Sequence, residues 1–195
     1  MQWLETRLSS YKEASGLQLR MLEVGALSTQ NACSKSGYFE IERIDLNSQE
    51  EGILQQDFME RPLPQSIAEK FDVISLSLVL NFVPDPQGRG EMLRRTTQFL
   101  FDAEIYAALP ELSPRFPCLF LVLPAPCVTN SRYMDEVRLG GIMTSLGYTL
   151  QESKMTQRLV YYLWRKESKR PAKASFPKKE LRSGSSRNNF AVVLK

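Results

Sequence analysis

With 195 residues the chain is long enough for one domain with a sizeable core and too short for two. It has no histidine, which excludes His-based triads and most zinc catalytic sites, and Cys33, Cys118 and Cys127 lack metal-type spacing. The net charge of +3 conceals a split: from Lys166 onward nine basic residues face two acidic ones (+7), leaving −4 on the rest. A near-neutral body with a basic tail suits a polyanionic partner or a solvated terminus. An odd cysteine count suits a reducing compartment. No apolar run reaches the ~18 residues of a membrane span, and no secretory signal pattern opens the chain, so no membrane partner is expected.

Trp3–Leu17 is expected as a short helix. Leu19–Val24, closed by Gly25, has the short apolar run of a buried strand. Phe39–Leu46, with Asp45 near its end, and Ile53–Phe58 are predicted as the second and third strands. After the Arg61-Pro-Leu-Pro loop, Lys70–Leu78 is a fourth strand with both faces buried. Gly88–Tyr106 is predicted as an amphipathic helix, with Met92, Leu93, Phe99, Leu100 and Ile105 in register. A fifth strand, Cys118–Leu123, stops at Pro124-Ala-Pro126, and a helix spans Ser131–Leu146, capped by Asn130 or Ser131 and ended by Gly147. Tyr148–Glu152 and Leu159–Trp164 close the domain as two strands, antiparallel because their link is short. Lys166–Asn189 is read as unstructured, and the apolar Phe190–Leu194 as an end that docks back. The domain limits are therefore 1–18 for the N-terminal helix, 19–165 for an α/β Rossmann-like domain, and 166–195 for the tail.

Ligands of open parallel sheets bind at the carboxyl ends of the strands. Gly25 closes the first strand, Asp45 follows it by 20 residues at the end of the second, and Asp57 ends the third. That spacing matches the ribose-binding acid of nucleoside cofactors. A dinucleotide needs further glycines for its pyrophosphate, and here Leu27 occupies the position of the second. S-adenosylmethionine has no phosphate and carries a positive sulfonium, which favours nearby Glu23, Asp45 and Asp57. Asp57 and Phe58 suit the adenine, with a carboxylate for its amine, a backbone N–H and an aromatic neighbour. Each residue alone also fits an ordinary strand end.

Gly25-Ala-Leu-Ser-Thr-Gln-Asn31, Arg43-Ile-Asp-Leu-Asn47, Gln55-Gln-Asp-Phe58, Ser75-Leu-Ser-Leu-Val-Leu-Asn-Phe-Val-Pro84 and Gly88-Arg-Gly-Glu-Met-Leu-Arg-Arg95 resemble the fungal large-subunit (25S) rRNA adenine-N(1)-methyltransferases. The resemblance runs on through Phe120-Leu-Val-Leu-Pro124, Thr129-Asn-Ser-Arg-Tyr133 and Arg187-Asn-Asn-Phe190, nearly the whole chain. That family shares its fold with the animal S-adenosylmethionine sensor upstream of the TOR complex. The resemblance implies a class I methyltransferase fold with a mostly parallel seven-stranded sheet and an antiparallel final strand. It also implies Gly25 and Asp45 as cofactor contacts, a ribosomal RNA or pre-ribosomal substrate, and a nuclear, nucleolar location. One departure is that such proteins usually carry a helical N-terminal extension, whereas this chain begins almost at the catalytic domain. It is read as a short form or as lacking part of the substrate platform.

Adenine N1 has a free lone pair and no proton to lose, so its methylation rests on positioning. The target must be unpaired or flipped out, because pairing occupies N1. After the fourth strand, Ser77 and Asn81 are candidates for the base's Watson–Crick edge, and Asp85 for easing the cationic product. Asn81 fits a helix cap equally well, and Phe82, a stacking candidate, reads better as core. Asn130, Arg132 and Tyr133 at the next strand end are substrate-side candidates. Arg89, Arg94 and Arg95 read as a solvated helix face more readily than as phosphate ligands. Lys166, Lys169, Arg170, Lys173, Lys178, Lys179 and Arg182 supply salt-sensitive phosphate contacts or a nuclear address. The competing readings are a non-catalytic S-adenosylmethionine sensor and a small-molecule methyltransferase. No metal is expected in any of them.

Overall fold

The computed structural model describes residues 18–110, 112–168 and 174–195, so the predicted helix at Trp3–Leu17 lies outside the described residues. Strand β1 (Leu19–Val24) buries Leu22 and Val24 on one face and Leu19 and Met21 on the other. Such two-sided burial is what a central parallel strand requires. A short helix, α1 (Ala32–Ser36), precedes β2 (Phe39–Asp45), and β3 is only Leu54–Gln55. Strand β4 (Val73–Ser77) leads to helix α2 (Pro86–Phe99), and β5 (Cys118–Pro124) to a single turn, α3 (Pro126–Thr129), and helix α4 (Glu136–Ser145). Strands β6 (Tyr148–Met155) and β7 (Leu159–Lys166) complete a seven-stranded sheet in the order β3-β2-β1-β4-β5-β7-β6. All pairings are parallel except β5 with β7 and β7 with β6. Order reverses between β1 and β4, which opens a crevice at their carboxyl ends.

The larger core joins Ile74, Leu76, Leu119 and Leu121 to Leu93, Leu139 and Ile142 from α2 and α4. The smaller core, on the other sheet face, gathers Met21, Val73 and Cys118 around Tyr106 and Phe116. All three cysteines are free and buried. Among the described residues no helix is long and apolar enough to cross a membrane.

Two predicted helices are shorter in the fold. The first begins at Pro86, with Asp85 as its cap, and ends at Phe99. There Leu100 turns extended and bridges Phe71, and Phe101 N–H donates to the Phe71 carbonyl at 3.0 Å. Ile105 therefore falls in a separate 3-10 turn, Ala103–Tyr106, and is exposed. The second helix is capped by Asp135, not by Asn130 or Ser131. Ser131 bridges Asn188, and its hydroxyl donates to the Phe190 carbonyl at 2.5 Å, so this stretch is held extended.

The tail is the main correction to the sequence reading. Residues 174–195 lie as a strap across α2, α3 and α4, with Phe190, Ala191, Val192, Val193 and Leu194 buried as the apolar end predicted. The Arg182 guanidinium donates to the carbonyls of Thr129, Val128 and Met134 at 3.1, 3.1 and 2.7 Å, so it is engaged inside the protein. Lys166 closes β7, with its ammonium on the Leu100 and Phe101 carbonyls and Asp102. Neither cation is a phosphate ligand. Lys169, Arg170 and Lys173 lie outside the described residues.

The strap touches α2 at Gly90, where a Cβ would come within 1.9 Å of the Val193 carbonyl oxygen. Exchanging glycine for alanine inside a helix normally stabilises by about 1 kcal/mol. Here the clash is with backbone, and overpacking costs about 1–3 kcal/mol. Gly90→Ala is therefore expected to lower the urea midpoint. A raised midpoint would show that the strap does not dock there.

Candidate active site

The register brings the predicted residues to one edge of the sheet. Val24 pairs with Ile44 on one side and Leu76 on the other, which sets Gly25 opposite Asp45 and Ser77. Asp45 in turn pairs with Gln55, two residues before Asp57. Gly25 has φ +74°, and its N–H donates to the Ile44 carbonyl at 2.8 Å. A Cβ at Gly25 would sit 2.4 Å from Val79 Cγ2, so the missing side chain lets the β4–α2 loop close over the bend after β1. Asp45 is half-buried and accepts the Asn47 N–H at 2.7 Å through Oδ1. Asp57 accepts the Met59 N–H at 2.7 Å in the same manner.

Several assignments change. Glu23 does not face the crevice with a free carboxylate. Its two oxygens accept from Asn31 Nδ2 at 2.7 and 2.9 Å, with Arg43 Nε 3.7 Å away. Burial raises its pKa, and the Asn31 hydrogen bond and the Arg43 charge oppose the rise. Its position makes it a buttress for the bend, working through Asn31. The Phe58 ring packs in the core against Phe99 at 5.3 Å, so the residue offers only backbone to a ligand. Asp85 caps α2, its Oδ1 accepting the Gly88 N–H at 2.7 Å. That hydrogen bond explains the residue without a role at a cationic product. Arg95 donates to the Phe58 and Arg61 carbonyls, and Arg89 to those of Val83 and Ala191. Neither belongs to a solvated face.

Asn130, Arg132 and Tyr133 are engaged by the strap. Asn130 donates to the Ser186 carbonyl at 3.2 Å, and Arg132 to Asn189 and the Gly184 carbonyl at 2.5 and 2.8 Å. Lys178 Nζ lies 4.3 Å above the Tyr133 ring. These contacts make the three residues a seat for the strap beside the carboxyl end of β5.

The β4–α2 loop carries three features of its own. Leu78 has φ +58°, a left-handed conformation costly for a branched residue and concentrated at functional sites. Asn81 Oδ1 is buried and without a hydrogen-bond partner, in a loop where Asp85 and not Asn81 caps the helix. Phe82 is 79% exposed, which overturns the expectation that it is core, whereas Leu80 is fully buried. Ser77 is exposed at the strand end.

Leu78, Val79 and Asn31 were missed by the sequence reading. Only Asn31 left a signal, as the cap of α1: its Oδ1 accepts the Ser34 N–H at 3.1 Å. The first bend is further tied to the β2–β3 loop, where Thr29 N–H donates to Glu50 at 2.8 Å.

The family model for 25S rRNA (adenine(2142)-N(1))-methyltransferase, Bmt2, matches residues 1–192. The chain belongs to the Bmt2 family. It is 41% identical over 172 residues to the 25S rRNA adenine-N(1) methyltransferase of Schizosaccharomyces pombe, covering 88% of this chain and 59% of that protein. It is 39% identical over 175 residues to the 25S rRNA (adenine(2142)-N(1))-methyltransferase of Saccharomyces cerevisiae, covering 89% and 48%. The chain thus spans about half the length of these curated relatives. A solved S-adenosylmethionine-dependent methyltransferase from Archaeoglobus fulgidus superposes with a TM-score of 0.53 at 14% identity, covering 85% of this chain and 94% of that one. The strand order and that likeness make this Bmt2-family chain a Rossmann-like class I methyltransferase fold.

Proposed function

We propose that the chain binds S-adenosylmethionine where β1, β2 and β4 end and methylates N1 of an adenine in large-subunit ribosomal RNA. Family membership supplies the reaction class. The observation that carries the reading is the buried, unpartnered Asn81 Oδ1, two residues beyond the valine that packs on Gly25.

The residues fit such a cofactor. Gly25 supplies a bend with no side chain, and a side chain there would collide with Val79. Asp45 keeps one carboxylate oxygen on Asn47, leaving the other for ribose hydroxyls. Asp57 and the Phe58 backbone stand at the next strand end, where an adenine amine and ring nitrogen need partners. Leu46, beside Asp45, is exposed and offers an apolar surface for a purine. Glu23 holds the bend in shape through Asn31.

The cofactor, when bound, supplies a methyl group on a sulfonium. The protein's task is to bring N1 into line with it. Asn81 Oδ1 is an acceptor and calls for an N–H donor; the exocyclic amine of adenine, next to N1, is one. Guanine would present an oxygen there, which the amide oxygen rejects. Phe82, exposed in the same loop, would stack on the base, with Ser77 at its edge. With a free lone pair and no proton to lose, N1 would need no general base, so the role of Asn81, Phe82 and Ser77 would be to orient it.

The test is to incubate the protein with methyl-labelled S-adenosylmethionine and unmodified large-subunit RNA, free or in pre-ribosomal particles, and to map the product. Label at N1 of a single adenine is expected. Tight cofactor binding without transfer to either RNA would refute methylation and favour a sensor. Asn81→Ala is expected to lower kcat/KM roughly ten- to a hundredfold, with cofactor affinity unchanged, as for an interaction made to the reacting base. A ribosomal RNA substrate also predicts a nucleolar location, checked by imaging a tagged chain.

A further inference from the structure

Acidic residues gather at one end of the carboxyl edge of the sheet, and cations without an ion pair, interspersed with Glu152 and Glu180, at the other. Asp45, Glu50, Glu51, Asp57 and Glu60 lie at or after the ends of β2 and β3. On the other half, Lys154 and Arg158 stand at the exposed tip of the β6–β7 hairpin, and Lys179 and Arg187 on the strap. Among the described residues none of these four cations is in an ion pair; the ion pairs involve Arg43, Arg61, Lys70, Arg94, Arg165 and Lys166.

The hairpin tip and the strap meet at one place. The Arg158 carbonyl accepts the Ala125 N–H at 2.8 Å, and Asn188 Nδ2 donates to the Pro126 carbonyl at 2.7 Å. Both therefore anchor on adjacent residues at the carboxyl end of β5. Arg187 is held there too, a guanidinium N–H donating to Asn130 Oδ1 at 3.5 Å and its Nε to the Ser183 carbonyl at 2.8 Å. Strand β5 neighbours β4, and Leu78 N–H donates to the Val122 carbonyl at 3.0 Å, so the end of β5 where hairpin and strap anchor lies on the same edge as the strand that runs into the loop with exposed Phe82. An exposed aromatic and unpaired cations along one edge are the chemistry that holds a single nucleic-acid strand: base on ring, phosphates on cations. The acidic half repels phosphate and confines the strand to its own side.

We propose that single-stranded RNA crosses the β5–β7–β6 half of the carboxyl edge, its phosphates on Lys154, Arg158, Lys179 and Arg187 and one base at Phe82. This rests on the reading of the site as an RNA methyltransferase and names the path of the substrate. It makes the described stretch of the tail, residues 174–195, part of the track.

The probe is a fluorescein-labelled, unstructured single-stranded RNA containing adenine, followed by anisotropy over a range of KCl concentrations. For the triple variant Lys154→Gln/Arg158→Gln/Lys179→Gln, affinity at low salt is expected to fall at least tenfold. The log–log salt slope should shrink by about 2, since each lost phosphate contact on a single strand removes about 0.7. Calorimetry with S-adenosylmethionine should give the parent's affinity, because the exchanged residues are exposed on the β6–β7 hairpin and the strap, not at the ends of β1 and β2. The charge-conserving variant Lys154→Arg/Arg158→Lys/Lys179→Arg should bind RNA as the parent does. If the triple variant does not fold, single exchanges carry the same test, each expected to reduce the slope by about 0.7. Parental RNA affinity and slope in the neutralised variants would overturn the track and leave the patch to an acidic protein partner. RNA binding along the track without methyl transfer would instead overturn the catalytic reading and leave the track standing.

Discussion

Asp45→Ala is expected to weaken S-adenosylmethionine binding about a hundredfold, measured by calorimetry. A hydrogen bond to a charged group is worth about 1.5–3 kcal/mol, and every 1.4 kcal/mol is a factor of ten. Two ribose hydroxyls on one carboxylate therefore account for two decades or more. Asp45→Asn keeps an acceptor and loses the charge, so an intermediate loss of about tenfold is expected. The local fold changes little, because the carboxylate makes one backbone hydrogen bond, to Asn47. A thermal midpoint within a few degrees of the parent, alongside the lost affinity, separates a binding role from a structural one. Unchanged affinity would move the ribose away from the end of β2.

The second large effect lies at Gly25. Alanine there meets two penalties: a left-handed backbone, costing about 1–2 kcal/mol for an L-residue, and a Cβ only 2.4 Å from Val79 Cγ2. Val79 is packed against the larger core, so it cannot swing freely, and displacing it moves the loop that carries Asn81 and Phe82. Gly25→Ala is expected to lose about 2–4 kcal/mol of stability by urea titration, together with cofactor affinity. Adding Val79→Ala removes the collision but not the backbone strain. The double variant should therefore recover part of the stability, and the coupling measures the contact between the two loops. Strict additivity would show that the contact is not made.

The residues that end the strands were legible because each obeys a local rule. Gly25 follows an apolar run, Asp45 comes 20 residues later, and the two-sided burial of β1 and β4 is written in their near-continuous apolar residues. Local rules fail where a distant segment takes over the backbone. Leu100 has the side chain of a helix residue, yet its backbone pairs with Phe71. Ser131 has the side chain of a helix cap, yet its hydroxyl is taken by Phe190, 59 residues away. Phe82 reads as core by hydrophobicity, but the left-handed Leu78 and the cap at Asp85 set the path of a loop that leaves it in solvent.

The sequence by itself determined the sheet, the glycine bend and the acidic strand ends, since periodicity and spacing are properties of neighbouring residues. Only the tertiary structure decided which polar groups remain free. Glu23, Asp85 and Arg132 are engaged inside the protein, whereas Asn81 Oδ1 has no partner. A hydrogen bond needs a partner within about 3 Å, and that partner often comes from far along the chain. No spacing rule encodes such a meeting.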